Sequence, residues 1–551
     1  MTTPSGPEIS TDVIVIGGGP GGSTAATMLA RKGLKVLVLE REKFPRDHIG
    51  ESLLPASMPV LEELGVMPAV EKAGFIKKWG ATMVWGKQTE PWSWYFRETN
   101  KRHPHSYQVW RPQFDKLLLD NSRANGADVR EGHHVSEVLF EGGKAVGVRF
   151  GENGSGERVA RARWIVDASG QTGLIGRKFD LRKWDSWFQN LAVYAYFAGA
   201  EKLASPNEGN ILIEAYPQGW FWNIPLHNGW MSVGAVVDKQ VGSEGVRQWG
   251  PMEFLMRQIA EAPHSAKLLR NATVAHGPVV LRDWSYVSDE VVGDGYILVG
   301  DAACFIDPLF SSGVHLAMSA GVMAAAYVVT ALKDPGMRAP AAKVYKDLYY
   351  REYSHFREMA KLFYASNSTM EGYFWEARRI LGDDPSMTPR EAFIRAVAGQ
   401  PPRGYERVVL DQGHAPQEFV QAVRTLEAEQ TRRTAQLAAL RAHPDVTRLP
   451  LYNAVPRLAP GIQAERKPVI GEGEFVWGHV LTTPGHPEGM PCSPLVAELV
   501  GRIDGETPVS KLMSGLRQGL SEVQGAQLEL SAIAALHVLY VDGTIAELRG
   551  V

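Results

Sequence analysis

Six residues at positions 17–22, GGGPGG, constrain this chain more than any other feature. They follow an apolar stretch at 11–16 and open a helical stretch that continues to Arg31. A second apolar run at 34–39 then ends on Glu40. A strand, a glycine turn, a helix and a second strand in that order form the opening of a nucleotide-binding α/β fold. The turn itself fits GxGxxG. Gly17 permits a tight turn, Gly19 lets the backbone approach a pyrophosphate, and Gly22 allows the helix to pack closely on the strand. The helix N-terminus then offers unpaired N–H groups to the anion. Glu40, at the end of the second strand, is placed to accept hydrogen bonds from a ribose. The bland alternative, a glycine-rich turn with no ligand, is weakened by strand, helix and acid standing in register. The pattern leaves NAD and FAD open.

Three later segments favour FAD by resemblance. Arg111, in VWRPQFD at 109–115, resembles the arginine that many flavin monooxygenases place against the cofactor. Asp167, opening DASG after the apolar run at 164–166, looks like their second dinucleotide-contacting turn. Asp301, in GDAA at 300–303, resembles the aspartate of their GD motif, which binds the ribityl region. Each could be a strand end with a turn; their order and spacing together argue for the flavin fold. Asp283, in RDWSY at 282–286, is a further cofactor-contact candidate by the same topology, with a simple strand-end aspartate as the alternative.

Three more motifs resemble the two-component FAD-dependent halogenases, which share the fold of the aromatic hydroxylases. GWFWNIP at 219–225 contains their WxWxIP pattern in full. Alternation along a strand puts Trp220, Trp222 and Ile224 on one face, with Pro225 ending it. The resemblance implies an apolar wall near the flavin that keeps the organic substrate away, so that halide captures the oxygen. An aromatic core strand is the plain alternative. The family's catalytic lysine opens a Lys-x-Gly pattern, which matches Lys78 and not Lys77 in FIKKWG. A buried ammonium loses its proton readily, so Lys78 could hydrogen-bond hypochlorous acid or take chlorine on nitrogen. In DPLFSSGVH at 307–315, the resemblance implies a chloride held by backbone N–H groups around Ser312 and Gly313, at a helix N-terminus. A helix cap by Ser311 or Ser312 is the alternative, and both could hold.

The resemblance departs at Phe310, where tryptophan halogenases carry a glutamate, and this argues against free tryptophan as substrate. HIGESLLP at 48–55, with Glu51 and Ser52 at the cofactor, and SSGVH at 311–315 look more like members acting on phenols, pyrroles or carrier-tethered acyl groups. An appended tail is likewise found in the chloramphenicol-pathway-like halogenases. The implied enzyme uses FADH2, oxygen and chloride, with a separate flavin reductase as partner and a small-molecule or carrier-protein-bound substrate in natural-product biosynthesis. The alternatives are an FAD-dependent hydroxylase and a carrier-binding flavoprotein that does not halogenate.

The expected fold is α/β (α+β). It comprises a Rossmann-type FAD-binding domain with an inserted antiparallel sheet domain, as in aromatic hydroxylases, plus a helical, winged-helix-like C-terminal extension. With 551 residues the chain exceeds one ordinary core. Residues 1–400 are expected as the FAD-binding module, 401–492 as a helical and extended connection, and 493–551 as the winged-helix-like domain. Residues 417–441 have the periodicity of a long amphipathic helix, 450–491 read as an extended surface connection, and 536–550 as two β runs around Asp542-Gly543. A net charge of -3 argues against a nucleic-acid partner. Cys304 and Cys492 have no metal-ligand or disulfide spacing, so no metal is expected. Neither a signal peptide nor a membrane-spanning run is read in the chain, which is expected to be cytoplasmic.

Overall fold

The computed structural model describes residues 8–87, 89–152, 156–365, 388–399, 432–438, 450–483 and 486–550, the side chains of 283, 284, 389 and 486–488 excepted. Contacts divide the chain into two units. The first is Met1–Ala377, Pro389–Pro401 and Ile470–Phe475; the second is Arg378–Thr388, Pro402–Val469 and Val476–Val551.

In the first unit the opening apolar run forms strand Val13–Ile16, which pairs in parallel with Val36–Glu40. Both belong to a six-stranded sheet in the order Val292–Gly293, Tyr296–Leu298, Trp164–Asp167, Val13–Ile16, Val36–Glu40, Asp128–Glu131. Every neighbour is parallel except the Val292–Gly293 edge pair. The strands VIVI, VLVLE and WIVD are buried at every residue, as a parallel sheet covered on both faces requires. Helix Pro20–Arg31 connects the first two strands and packs along helix Gly313–Lys333. That second helix corrects one expectation. It is long and apolar enough to cross a membrane, but 83% of its most apolar window is buried inside the protein. Its apolar length serves the core.

The inserted sheet has eight strands, in the order Cys304–Phe305, Thr273–Ser288, Arg182–Ala198, Trp230–Asp238, Gly219–Pro225, Ile211–Tyr216, Gly80–Val84, Trp92–Tyr95. All pairs are antiparallel except Ile211–Tyr216 with Gly80–Val84. One face carries Val193, Phe221, Val233 and Ala235 into a core with Phe254, Leu255 and Ile259 of helix Pro251–Ala260. Alternation turns the other face, including Trp220 and Trp222, toward the nucleotide side.

The second unit departs from the expected outline. Residues 450–491 are not a loose connection: Val455–Leu458, Gln463–Ile470, Phe475–Thr483 and His486–Cys492 are strands, the last three forming one sheet. Leu451, Ala454 and Leu481 join Leu499, Leu512, Ile533 and Leu536 in one core, so this segment and the C-terminal helices fold together. The expected hairpin around Asp542-Gly543 is also corrected. Residues up to Val541 extend helix Glu522–Val541, and the strand after the turn, Ile545–Arg549, pairs antiparallel with Val455–Leu458 instead. Helices Pro494–Arg502 and Val509–Leu516 precede it, as the expected helical order has them. Of the helix expected over 417–441 only 432–438 are described, and these are helical.

Candidate active site

A cavity of about 740 Å³ opens where the parallel strands end and the inserted sheet begins. It gathers most of the predicted site residues. Gly17, Gly19, Glu40, Glu51, Ser52, Arg111, Trp220, Trp222, Ile224, Asp301, Ser312 and Gly313 all line it. Gly17 has a φ of 97°, and a Cβ there would stand 2.4 Å from the Ala168 carbonyl oxygen, so only glycine makes this turn. At Gly22 a Cβ would meet the Gly17 carbonyl oxygen at 2.0 Å, which is the close helix–turn packing expected of the third glycine. Helix Pro20–Arg31 begins with proline and has no side-chain cap, leaving the N–H groups of its first turn for a ligand. The Glu40 carboxylate accepts from Gly18 N at 2.7 Å and Glu42 N at 2.8 Å, fixing the turn while still facing the cavity.

Other predicted residues stand back from the cavity. Asp167 is fully buried, accepting from Ser169 N, Ser169 Oγ and Ile175 N at 3.1, 2.6 and 2.8 Å. It shapes the turn whose Ala168, Ser169 and Gly170 do line the cavity. Asp283 lies in strand Thr273–Ser288 opposite Asn190; its side chain is outside the described residues. Pro225 ends the wall strand, opposite Met231.

Charge in the cavity is organised by Arg111. Its guanidinium makes two bonds to Asp115, at 2.7 and 2.8 Å, and donates to the Ile49 carbonyl. Burial favours the neutral acid at Asp115, but the Arg111 charge and hydrogen bonds, with Arg46, hold its carboxyl below the ordinary range. Glu51 is the reverse case. It is buried and accepts from Tyr196 Oη at 2.9 Å, yet burial still pushes its carboxyl up. Asp301 is likewise pushed up to about 6 by burial, with Arg111 and Arg182 opposing.

The wall is formed by strand Gly219–Pro225. Trp220 and Trp222 stand with ring centroids 6.1 Å apart, while Phe221 between them enters the opposite core. Trp222 Nε1 donates to Ser232 Oγ at 3.2 Å. Trp220 Nε1 donates to Tyr364 Oη, which donates to Asp307 Oδ2 at 2.7 Å; Asn190 Nδ2 reaches the same oxygen at 3.1 Å. Asp307 Oδ1 in turn accepts from Leu309 N at 3.0 Å, in the turn that leads to Ser311 and Ser312. One buried carboxylate therefore ties the wall to the predicted halide turn. Tyr364→Phe is expected to cost roughly 1–3 kcal/mol of stability, because the Trp220 N–H loses this acceptor, and to lower product per flavin oxidised. Thermal unfolding together with product counting checks this.

The turn predicted to hold halide is strained: Ser311 has a φ of 58°, a region where non-glycine residues concentrate at functional sites. Ser312 caps helix Gly313–Lys333 by backbone alone, with no side-chain cap bond. Phe310 is buried against Phe363 at 5.1 Å, so this position supplies no carboxylate. Beyond the cavity lies Lys78, 2% exposed, while Lys77 is exposed. Lys78 Nζ donates to Leu53 O at 3.1 Å and lies 5.5 Å from the Phe96 ring centroid. Burial lowers its pKa from 10.5 to about 7. Near neutral pH a large share of this amine is therefore neutral and nucleophilic.

The donor set fits an FAD: an uncapped helix N-terminus beside a glycine turn, a strand-end glutamate, and Arg111, Glu51 and Asp301 around a cofactor-sized cavity. Sequence reasoning missed Asp115, Asn190, Tyr196 and Tyr364. Asp115 had a signal, four residues after Arg111 on one helix; the others come from distant segments and had none.

A family model described as tryptophan halogenase matches residues 96–427, and one described as FAD dependent oxidoreductase matches residues 12–177. The tryptophan 2-halogenase of Chondromyces crocatus is 36% identical over 378 residues, covering 68% of this chain and 72% of its own. The 1H-pyrrole-2-carbonyl-(peptidyl-carrier protein) chlorinase of Pseudomonas fluorescens is 32% identical over 392 residues, 67% of this chain and 86% of its own. Among solved structures, the myxobacterial chondrochloren halogenase CndH matches at TM-score 0.63 and 39% identity over 76% of this chain and 97% of its own. The flavin-dependent halogenase CmlS matches at TM-score 0.68 and 25% identity, over 97% of this chain and 95% of its own.

Proposed function

The chain belongs to the tryptophan halogenase family of FAD-dependent enzymes, and from that premise we propose that it chlorinates an electron-rich or enolisable carbon on a carrier-tethered substrate, using FADH2 delivered by a separate reductase. The observation that carries this reading is the placement of Trp220, Trp222 and Ile224 on the flavin cavity while Lys78 is buried outside its lining. An enzyme that admitted its organic substrate to the flavin would have no use for such a barrier.

Gly17, Gly19, Gly22 and Glu40 hold the dinucleotide, with Glu51, Ser52, Arg111 and Asp301 around the rest of the cofactor. Asp167 acts through the turn it shapes, and Asp283 is kept as a further contact. When bound, reduced FAD with oxygen supplies the two-electron oxidant that turns chloride into hypochlorous acid. Ser312 and Gly313 hold the chloride at the helix N-terminus. The indoles of Trp220 and Trp222, with Ile224, exclude water and bulky substrate from that compartment; Pro225 closes the strand that carries them. Lys78 then takes the chlorine or hydrogen-bonds its carrier, and presents it to the substrate carbon.

Two features support a tethered acceptor. Phe310 removes the carboxylate that tryptophan halogenases place there, and a relative named as the chlorinase of a pyrrole-2-carbonyl group on a peptidyl carrier protein aligns over most of its length. Free tryptophan is the competing acceptor, favoured by the name of the Chondromyces crocatus relative. A panel of free tryptophan, free phenols and pyrroles, and the same phenols and acyl groups on carrier protein separates them. Chlorination of the tethered members at a much higher kcat/KM is the expected result; preference for free tryptophan overturns the tethered reading.

A further inference from the structure

A short ladder lies between the flavin cavity and Lys78. Strand Ile76–Lys78 pairs antiparallel with Ser106–Gln108, Lys78 opposite Ser106 and Ile76 opposite Gln108. On its other side Gln108 bridges Ser52 in antiparallel register. Directly paired residues share a face, and so do residues two apart. Ser52, Gln108 and Lys78 therefore project from one side of the ladder. Ser52 lines the cavity, and Lys78 Nζ is bonded to the carbonyl of the next residue, Leu53.

Two oxygens on that face have no partner within the described protein. Ser52 Oγ and Gln108 Oε1 are buried, in residues 4% and 0% exposed, and neither has a hydrogen-bond partner among the described residues. The Gln108 amide is not loose, since its Nε2 donates to Gly209 O at 3.1 Å. Leaving such groups unpaired costs stability, and an apolar pair of the same shape would avoid that cost. Their chain neighbours Leu53 and Tyr107 are buried as well. Polar atoms kept in such surroundings serve a guest that is polar, small and transient.

We infer that Ser52 and Gln108 are relay residues, whose free oxygens hydrogen-bond hypochlorous acid as it passes along this face from the flavin cavity to Lys78. The O–H of the acid donates to Gln108 Oε1, and the Ser52 hydroxyl donates to its oxygen. Only hydrogen bonds change during the passage. At its end the neutral Lys78 amine exchanges N–H for N–Cl, and the oxygen leaves as water with the displaced proton. The inference rests on the proposed role of Lys78.

The test uses the full chain with FAD, a flavin reductase, NADH, oxygen and chloride, and no organic acceptor other than monochlorodimedone. Chlorine on the Lys78 peptide is measured by mass spectrometry, against chlorination of monochlorodimedone in bulk solution. In Gln108→Met and Ser52→Ala, the ratio of chlorine on Lys78 to chlorine in monochlorodimedone is expected to fall several-fold. Ser52→Thr, which keeps the hydroxyl, is expected to retain the parent ratio. Bound-flavin absorbance and thermal unfolding show which variants are folded. An unchanged ratio in folded Gln108→Met and Ser52→Ala overturns the relay. Absence of chlorine on Lys78 in the parent protein instead overturns the transfer of chlorine to its amine, and with it the relay as stated.

Discussion

Lys78→Met is expected to end chlorination of the acceptor while making the protein more stable. Lys78 is 2% exposed, and the one shift acting on its amine is burial, which lowers the pKa from 10.5 to about 7. Between those values the unfolded chain binds a proton that the folded chain does not, so stability rises with pH across that window. Below about pH 7 the whole penalty of charging a buried amine is present. A shift of that size corresponds to roughly 3–5 kcal/mol. Methionine keeps the length of the side chain and removes the ionisable group, and Leu53 O keeps its bond from Ser106 Oγ at 2.7 Å. The variant should unfold at a higher temperature than the parent at pH 7, by a margin that shrinks as the pH approaches 10. Product per flavin oxidised should fall by roughly a hundredfold or more. Thermal unfolding across pH, with product counting by mass spectrometry, reads both. A variant less stable at every pH would mean that the amine is held charged by a partner.

The second large effect is expected from a residue with no chemistry of its own. Gly234 pairs directly with Trp222 across the inserted sheet. A Cβ there would stand 2.1 Å from Trp222 Cζ2 and 2.3 Å from Cη2, so the indole lies against bare backbone. Gly234→Ala must push the indole off the strand, at roughly 1–3 kcal/mol for overpacking, and so opens the wall. The glycine turn and Glu40 belong to the other sheet, so flavin should still bind. Chlorinated product per flavin should drop by about tenfold or more, with peroxide or oxygenated product rising in its place. Unchanged coupling in this variant would show that the barrier does not depend on Trp222.

What could be read from the sequence was local. The glycine turn was legible because strand, turn, helix and acid follow one another within thirty residues, and a parallel strand buried on both faces must be continuously apolar. Alternation made the facing of the wall legible, separating Trp220 and Trp222 from Phe221, while its place beside the flavin came from the resemblance. The tether behind it was not. Asn190, Asp307 and Tyr364 meet from three remote elements, and no spacing rule links them. Nor does any rule link Glu51 to Tyr196, or Ser52 to Gln108. The C-terminal end was misread because an apolar run such as VLYV suits either strand or helix. Burial of Leu536, Leu539 and Tyr540 on one side of a helix decided it, and Val455–Leu458, far earlier in the chain, supplied the strand partner.

The most direct test of the proposed chemistry is a mass-spectrometric assay of purified protein with FAD, flavin reductase, NADH and oxygen, run with and without chloride on the acceptor panel. Chlorinated product that requires the reductase and chloride, and disappears in Lys78→Ala, is the expected result. Oxygen inserted into the acceptor at the same rate whatever the halide would contradict it, and would make the tryptophan wall a feature of a hydroxylase.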